Sequence, residues 1–277
     1  MAHFIWSLTD SDKVSLTLLS IKAFDIIPSC ASLIIPNTIS IDIKDDFVLN
    51  FIKDKRWKYL TDGLKITLEV TFFAVILGIV LGSVIAIIRS TYDTNYESMK
   101  SKVGKAVLKI LNLVAKIYLT VIRGTPVVVQ LMIMYYVIFS TSNNKVPIAI
   151  LSFGINSGAY VAEIIRSGIM AIDRGQFEAG RSLGFNYIQT MIYIILPQAF
   201  KNILPALANE FIVLLKETSV AGYVALQDLT KGGDIIRSRT YSAFMPLITV
   251  AVIYLVMVMF FTYLVGRLER RLRNDER

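Results

Sequence analysis

The chain has 277 residues, 55% of them hydrophobic and 18% charged, with a mean hydropathy of +0.59 and a formal net charge of +8. A soluble domain carries roughly a quarter charged residues, so this composition indicates a membrane protein with room for about five or six spans and no separate soluble domain. One cysteine, Cys30, and one histidine, His3, exclude an internal disulfide and make metal chemistry an unpromising function.

The first stretch, 1–57, is expected to be an N-terminal extension whose topology stays open, ahead of a membrane domain over 58–277. Val14 to Ile35 has membrane length but contains Lys22, Asp25 and Pro28, each costly at a helix centre. Met1 to Asp12 lacks the basic start of a cleaved signal peptide. Leu64 to Ile88 reads as the first clear span. Within it Gly78-x-x-x-Gly82, extended by Ser83, would let a second helix approach closely; ordinary membrane glycines account for it equally well. Lys105, Lys109 and Lys116 then interleave with Val107, Leu108, Ile110, Leu111, Leu113 and Val114. That pattern is expected to form an amphipathic helix at the inner interface, serving packing and orientation and leading into a second span over about Tyr118 to Phe139.

Val146 to Ala171 is the third span. After it comes a spaced signature, Glu178-Ala179-Gly180, then Gly184, then Ile194-x-Leu196-Pro197. Glu178, Ala179, Arg181 and Leu183 favour a short helix over Gln176 to Leu183, with a small face at Ala179 and Gly180. Gly184 accepts the left-handed conformation that closes it, and a second helix is expected from near Asn186, ended or kinked by Pro197. The product is an exposed helix-turn-helix that a partner could seat in a groove. Ala206 to Leu226 and Phe244 to Gly266 complete the spans, so the fold class is an all-α membrane bundle of five helices, or six if Val14 to Ile35 also crosses.

Basic residues orient this chain. They concentrate in the gap from Arg89 to Lys116, around the signature loop at Arg166, Arg174, Arg181 and Lys201, and in the tail from Arg267 to Arg277. By the positive-inside rule those segments are cytoplasmic, with Thr141 to Lys145 and Asp228 to Ser242 outside.

The span from Ala206 carries Asn209, Glu210, Lys216 and Glu217 where leucine would suit lipid. A charge at the bilayer centre costs at least ~2.5–3.5 kcal/mol, so such groups face a partner or a water-filled path. Glu210 and Glu217 are two helical turns apart on one stripe, with Asn209 and Lys216 beside them. The two carboxylates are read as binding an ammonium group and Asn209 as a hydrogen-bonding group; the competing reading is structural pairing, weightiest for Lys216. Tyr160 and Glu163 are secondary path candidates, and Arg123 and Gln130 stand behind them. Glu163 and Arg166, three apart, are expected to pair within their helix. Glu178 is either a helix-terminal carboxylate or a contact to a partner.

The signature resembles the cytoplasmic coupling loop of the inner-membrane permease subunits of ABC importers. Further motifs resemble the polar amino-acid branch of that family: Asp62-Gly63-Leu64-x-x-Thr67-Leu68, Arg123-Gly124-Thr125-Pro126 with Gln130, Ala159-Tyr160-x-Ala162-Glu163-x-x-Arg166 with Gly168, and Leu215-Lys216-Glu217-Thr218-Ser219. Together they cover nearly all of 59–268. Two departures are Gly180, where alanine is commoner, and the longer N-terminal lead. The resemblance implies a type I ABC importer permease fold in a bacterial cytoplasmic membrane, with Glu178, Ala179, Gly180, Gly184, Leu196 and Pro197 at the ATPase contact and Glu210 and Glu217 on the path. It also implies three partners: a cytoplasmic ATPase dimer that binds ATP and Mg, a second permease subunit of the same or similar sequence, and an extracytoplasmic amino-acid-binding protein. The chain itself has no Gly-x-x-x-x-Gly-Lys-(Ser/Thr) phosphate loop, and Gly232-Gly233 is no nucleotide site. The path carboxylates suit cationic or zwitterionic substrates. The alternative function is an ion-gradient-driven secondary transporter or channel; a membrane enzyme has no paired catalytic groups in the spans to support it.

Overall fold

A computed structural model describes residues 43–274, and from Phe47 onward they belong to one contact unit. The question whether Val14 to Ile35 crosses the membrane, and the signal-peptide question, lie outside the described residues. Those residues are helical, with no strand among them. The long helices are α1 (Trp57–Asn95), α2 (Lys102–Gly124), α4 (Lys145–Met170), α7 (Leu196–Glu217) and α9 (Phe244–Asn274). Shorter ones are α3 (Val127–Ile133), α5 (Arg174–Ser182), α6 (Tyr187–Thr190) and α8 (Leu229–Thr240).

α4 is the axis of the bundle. Phe153, Ala159 and Val161 are fully buried, and α1 packs along it more extensively than any other pair of helices packs. The reason is the small-residue face. A Cβ at Gly78 would stand 2.9 Å from Ser157 Oγ, one at Gly82 would stand 2.6 Å from Val161 Cγ1, and one at Gly158 would meet the Tyr118 hydroxyl at 3.0 Å. Of the two readings of Gly78-x-x-x-Gly82, the specific packing face is therefore the one observed. Residue numbers rise together along both helices at these contacts, so α1 and α4 run parallel.

The expected second span is not one straight helix. The amphipathic segment extends unbroken to Gly124, the chain bends by 107°, and α3 continues from Val127 into a wider π turn at Met134–Ile138. Pro126 causes the break, because it forces Thr125 into extended backbone at φ −119° and ψ 143°. The Gln130 amide mends it, donating to the Ile122 carbonyl (2.7 Å) and the Thr125 hydroxyl (2.7 Å), while its oxygen accepts from Asn156 Nδ2 at 3.0 Å.

Of the two outcomes expected at Pro197, an end to the helix is not observed: α6 passes through a π turn at Met191–Ile195 directly into α7. The Leu196 amide bonds to the Met191 carbonyl, five residues back, and this wider turn gives the proline ring room without losing the helix. The helix expected from Ala206 thus begins ten residues earlier, encloses Pro205, and tightens into a 3₁₀ stretch at Thr218–Val224.

The gap from Asp228 to Ser242 holds α8, wedged between α1 and α9. Asp228 caps it, accepting from the Thr230 amide (3.1 Å) and the Lys231 amide (3.0 Å); burial pushes its carboxyl up to about 6 against the pull of those bonds. Thr67 on α1 accepts the Leu229 amide at 3.1 Å, and a Cβ at Gly63 would lie 2.5 Å from the Asp228 carbonyl oxygen. Those two contacts account physically for the Gly63 and Thr67 positions of the first motif. Gly232 and Gly233 pack on Tyr59 and Val250, a steric role in place of any ligand.

Adding an isopropyl group at the α1–α4 seam is expected to overpack it. Gly82→Val should destabilise the chain by about 1–3 kcal/mol, read as a lower melting temperature in detergent. Gly266→Val, with nothing within 4 Å of its Cβ position, should leave melting unchanged; equal melting of both variants would contradict the seam.

Candidate functional site: a capped hairpin and a buried carboxylate

The signature forms a helical hairpin whose geometry is written in local backbone chemistry. Asp173 opens α5 by accepting the Gly175 amide at 2.6 Å. The helix closes with Gly184 at φ +84°, the left-handed conformation expected for it. The Gly184 amide donates to the Arg181 carbonyl (3.0 Å) and the Phe185 amide to the Gly180 carbonyl (3.1 Å), the paired bonds of a Schellman closure. Asn186 then starts α6 with a reciprocal cap. Its side chain accepts the Gln189 amide at 2.9 Å, and its own amide donates to Gln189 Oε1 at 2.9 Å.

Gly180 and Ala179 part company here. Gly180 is buried, with its Cβ position 2.7 Å from Thr190 Cγ2, so the small residue lets the two arms of the hairpin touch each other. Ala179 and Glu178 are exposed, as are Leu183 (74%), Ile188 (65%) and Tyr193 (69%). Leu196 and Pro197 are exposed at the base of the second arm. A cleft of about 490 Å³ lies beside the hairpin, bounded by Glu178, Arg181 and Tyr187 and by Asp93 and Thr94 from the end of α1. The Thr94 and Tyr187 hydroxyls are 2.8 Å apart, tying α1 to the hairpin.

Inside the bundle, Glu210 is 8% exposed and accepts a hydrogen bond from Ser157 Oγ at 3.0 Å. Glu217, on the same stripe, is half-buried at the last turn of α7; Asn209 and Lys216 are exposed. The stripe is therefore present, but its members differ in environment, and only Glu210 is enclosed. Sequence reasoning passed over its partner Ser157 on α4 and the buried polar residues beside it. Asn156 and Ser157 are 3% and 0% exposed, and Ser152, at 2%, has a hydroxyl without a hydrogen-bond partner. Polar residues in the middle of an apolar run were the available signal.

The second-rank candidates form a separate chain of charges. Arg123 lies over the Tyr160 ring at 5.6 Å and within 3.7 Å of Glu163; Arg166 pairs with Glu163 at 3.4 Å and with Asp93 at 3.1 Å. The expected Glu163–Arg166 pair is thus observed, with Arg123 and Asp93 extending it. Glu163 is shared by two arginines, whereas Glu210 has no cationic partner among the described residues. No group of three potential metal ligands occurs among the described residues.

Comparison with known proteins follows the same residues. A family model described as the binding-protein-dependent transport system inner membrane component matches 103–274. A glutamine transport system permease of Rickettsia typhi, described as putative, is 37% identical over 217 residues, covering 77% of this chain and 93% of its own length. An arginine transport system permease of Bacillus subtilis is 40% identical over 166 residues, covering 59% of this chain and 76% of its own. A crystal structure of an amino-acid ABC transporter with histidines matches with a TM-score of 0.69 at 43% identity, over 80% of this chain and 98% of that one. The methionine transporter MetNI in an inward-facing form, at 20% identity and a TM-score of 0.65 over 77% and 95%, shares the fold. With its hairpin, its bundle and most of its length matched in this way, the chain belongs to the inner membrane components of binding-protein-dependent transport systems.

Proposed function

We propose that this chain is the membrane subunit of an ATP-driven amino-acid importer. The observation that carries the reading is the pairing of two features: a rigid, exposed hairpin at one end of the bundle and an enclosed carboxylate, Glu210, within it. A channel or ion-driven carrier needs no such hairpin. The relatives named for glutamine and arginine transport support an amino-acid substrate, and Glu210 with Glu217 suits its ammonium group. Asn209, Tyr160 and Glu163 remain candidates for the path, with Glu163 least available because two arginines already hold it.

ATP and Mg would be bound by a partner ATPase dimer, since this chain carries no phosphate loop. Glu178, Ala179, Gly184, Leu196 and Pro197 are assigned to that contact; Gly180 supports it from inside the hairpin. A second permease subunit and an extracytoplasmic binding protein complete the assembly. Closure of the ATPase dimer would push the hairpin. Because α6 runs without a stop into α7, the push reaches Glu210 along one continuous helix, and access to the path alternates.

Orientation follows from the basic residues, and the hairpin and tail are placed in the cytoplasm. Single cysteines at the exposed positions Asn144 and Ser238 are expected to react with an impermeant maleimide in intact cells, and cysteines at Arg174 and Asp275 only after permeabilisation. Outside labelling at Arg174 would reverse the assignment.

Two substitutions separate coupling from substrate handling. Gly184→Val places a β-branched residue at φ +84°, a strain of at least about 1–2 kcal/mol, and should abolish uptake by weakening ATPase assembly while membrane insertion persists. Glu210→Gln keeps the size and the Ser157 bond but removes the charge. Loss of a buried charge pair costs about 2–5 kcal/mol, so uptake should fall at least tenfold with assembly and basal ATP hydrolysis intact. Wild-type uptake in Gly184→Val would sink the lever, and wild-type uptake in both Glu210→Gln and Glu217→Gln would make those carboxylates structural.

A further inference from the structure

The face of α2 that the bundle leaves open carries none of the coupling residues, and the cleft at its edge borders the path candidates Tyr160 and Glu163. Leu108, Asn112, Ala115 and Leu119 are its buried stripe and hold it against the bundle. Beside that stripe Val103, Val107, Ile110, Val114, Ile117 and Val121 recur at alternating steps of four and three, and each is more than half exposed. Lys109, Lys116 and Arg123 form a third stripe, seven residues apart and exposed. Neither lysine has a carboxylate within 4 Å among the described residues.

The basic stripe edges a cleft of about 570 Å³, where Arg89 of α1 joins Lys116 and Arg123, opposite Tyr160 and Glu163 of α4. Three cations face one carboxylate, and that carboxylate is already shared with Arg166. Arg89 is short of acceptors. Its Nε is buried without a hydrogen-bond partner, and its Nη1 reaches Asn112 Oδ1 only at 3.5 Å, the outer limit of a hydrogen bond. The cleft therefore offers more donors and positive charge than Glu163 alone can meet.

We propose that α2 is an interfacial helix and that this cleft binds the phosphate of an anionic phospholipid, with Arg89 and Lys116 as the donors. The apolar stripe identifies the source of the phosphate. A lipid brings acyl chains to cover Val103 through Val121, whereas a free phosphate leaves them in water. A second copy seated on this face would set its own Lys109, Lys116 and Arg123 against the same stripe of like charge, so the second permease subunit is expected on another face. The 107° bend into α3 supports the arrangement, since it sets α2 nearer to crosswise than collinear with the segment that follows. Cations beside an exposed apolar stripe are the pattern of helices that lie in a headgroup layer.

The test uses the full chain, purified in mild detergent and incorporated into nanodiscs of phosphatidylcholine alone or with a third phosphatidylglycerol. Retained lipid is read by native mass spectrometry and stability by melting temperature. Phosphatidylglycerol should be retained selectively and should raise the melting temperature. Lys116→Gln or Arg89→Gln should each lower its affinity about fivefold, the share of one cation near a headgroup, while Arg271→Gln in the tail should not. Lys116 is exposed and unpaired, so its loss does not threaten folding. Equal retention of both lipids, or unchanged retention in both cleft variants, would overturn the proposal. So would an equal rise in melting temperature from millimolar inorganic phosphate alone, which would make the ligand a free anion. Disulfide cross-linking between copies through cysteines at Val107 and Val114 would overturn it too, since it would mean that a second chain covers the stripe.

Discussion

Everything in this bundle is placed by the close approach of α1 to α4. In a bilayer the surrounding lipid is as apolar as leucine, so helices gain little from hiding apolar side chains in each other and depend on intimate contact. Gly78 and Gly82 on one side and Ser157 and Gly158 on the other leave no room for a methyl group. With α4 held so tightly, its remaining faces become fixed platforms. Ser157 reaches Glu210 on α7, Asn156 reaches Gln130 on α3, and the Ile155 carbonyl accepts the Tyr118 hydroxyl of α2 at 2.5 Å. Glu210, the enclosed carboxylate, and the mended bend at Gln130 are therefore held from one helix.

The hairpin obeys a different logic. Its shape comes from caps at Asp173 and Asn186, the closure at Gly184 and the glycine contact at Gly180, and an apolar cluster of Phe177, Met191, Ile194 and Ile195 packs it against Ile169 of α4 and Ile203 of α7. Such elements suit a part that must keep its form while being pushed. Beside that cluster, the Thr94–Tyr187 contact and the unbroken path into α7 link it to the bundle. A force applied at its tip has a covalent helical route to Glu210 and a side-chain route to α1.

What the sequence disclosed and what it hid divide along the range of the interactions. Local signals were legible: the apolar runs, the turn at Gly184, the start at Asn186, the charges inside α7 and the Glu163–Arg166 pair. Positions whose meaning depends on distant partners were not. Thr67 and Leu229 are 162 residues apart, Ser157 and Glu210 are 53 apart, and neither link leaves a trace in composition or period. Prolines act here through the backbone around them. Pro126 breaks a run that looked long enough to span, while Pro197 and Pro205 lie inside a helix because a π turn absorbs the first and the helix encloses the second. Gly180 was read as facing a partner and instead faces Thr190, a distinction that only the pairing of the two arms could make.

The central claim is that transport through this chain is powered by a partner seated on the hairpin. Its most direct test is uptake of a labelled amino acid into vesicles holding the chain with its ATPase partner, the binding protein being supplied outside. Uptake should require enclosed ATP and should persist when proton and sodium gradients are collapsed. Uptake driven by either gradient from vesicles holding this chain without the ATPase would contradict the account.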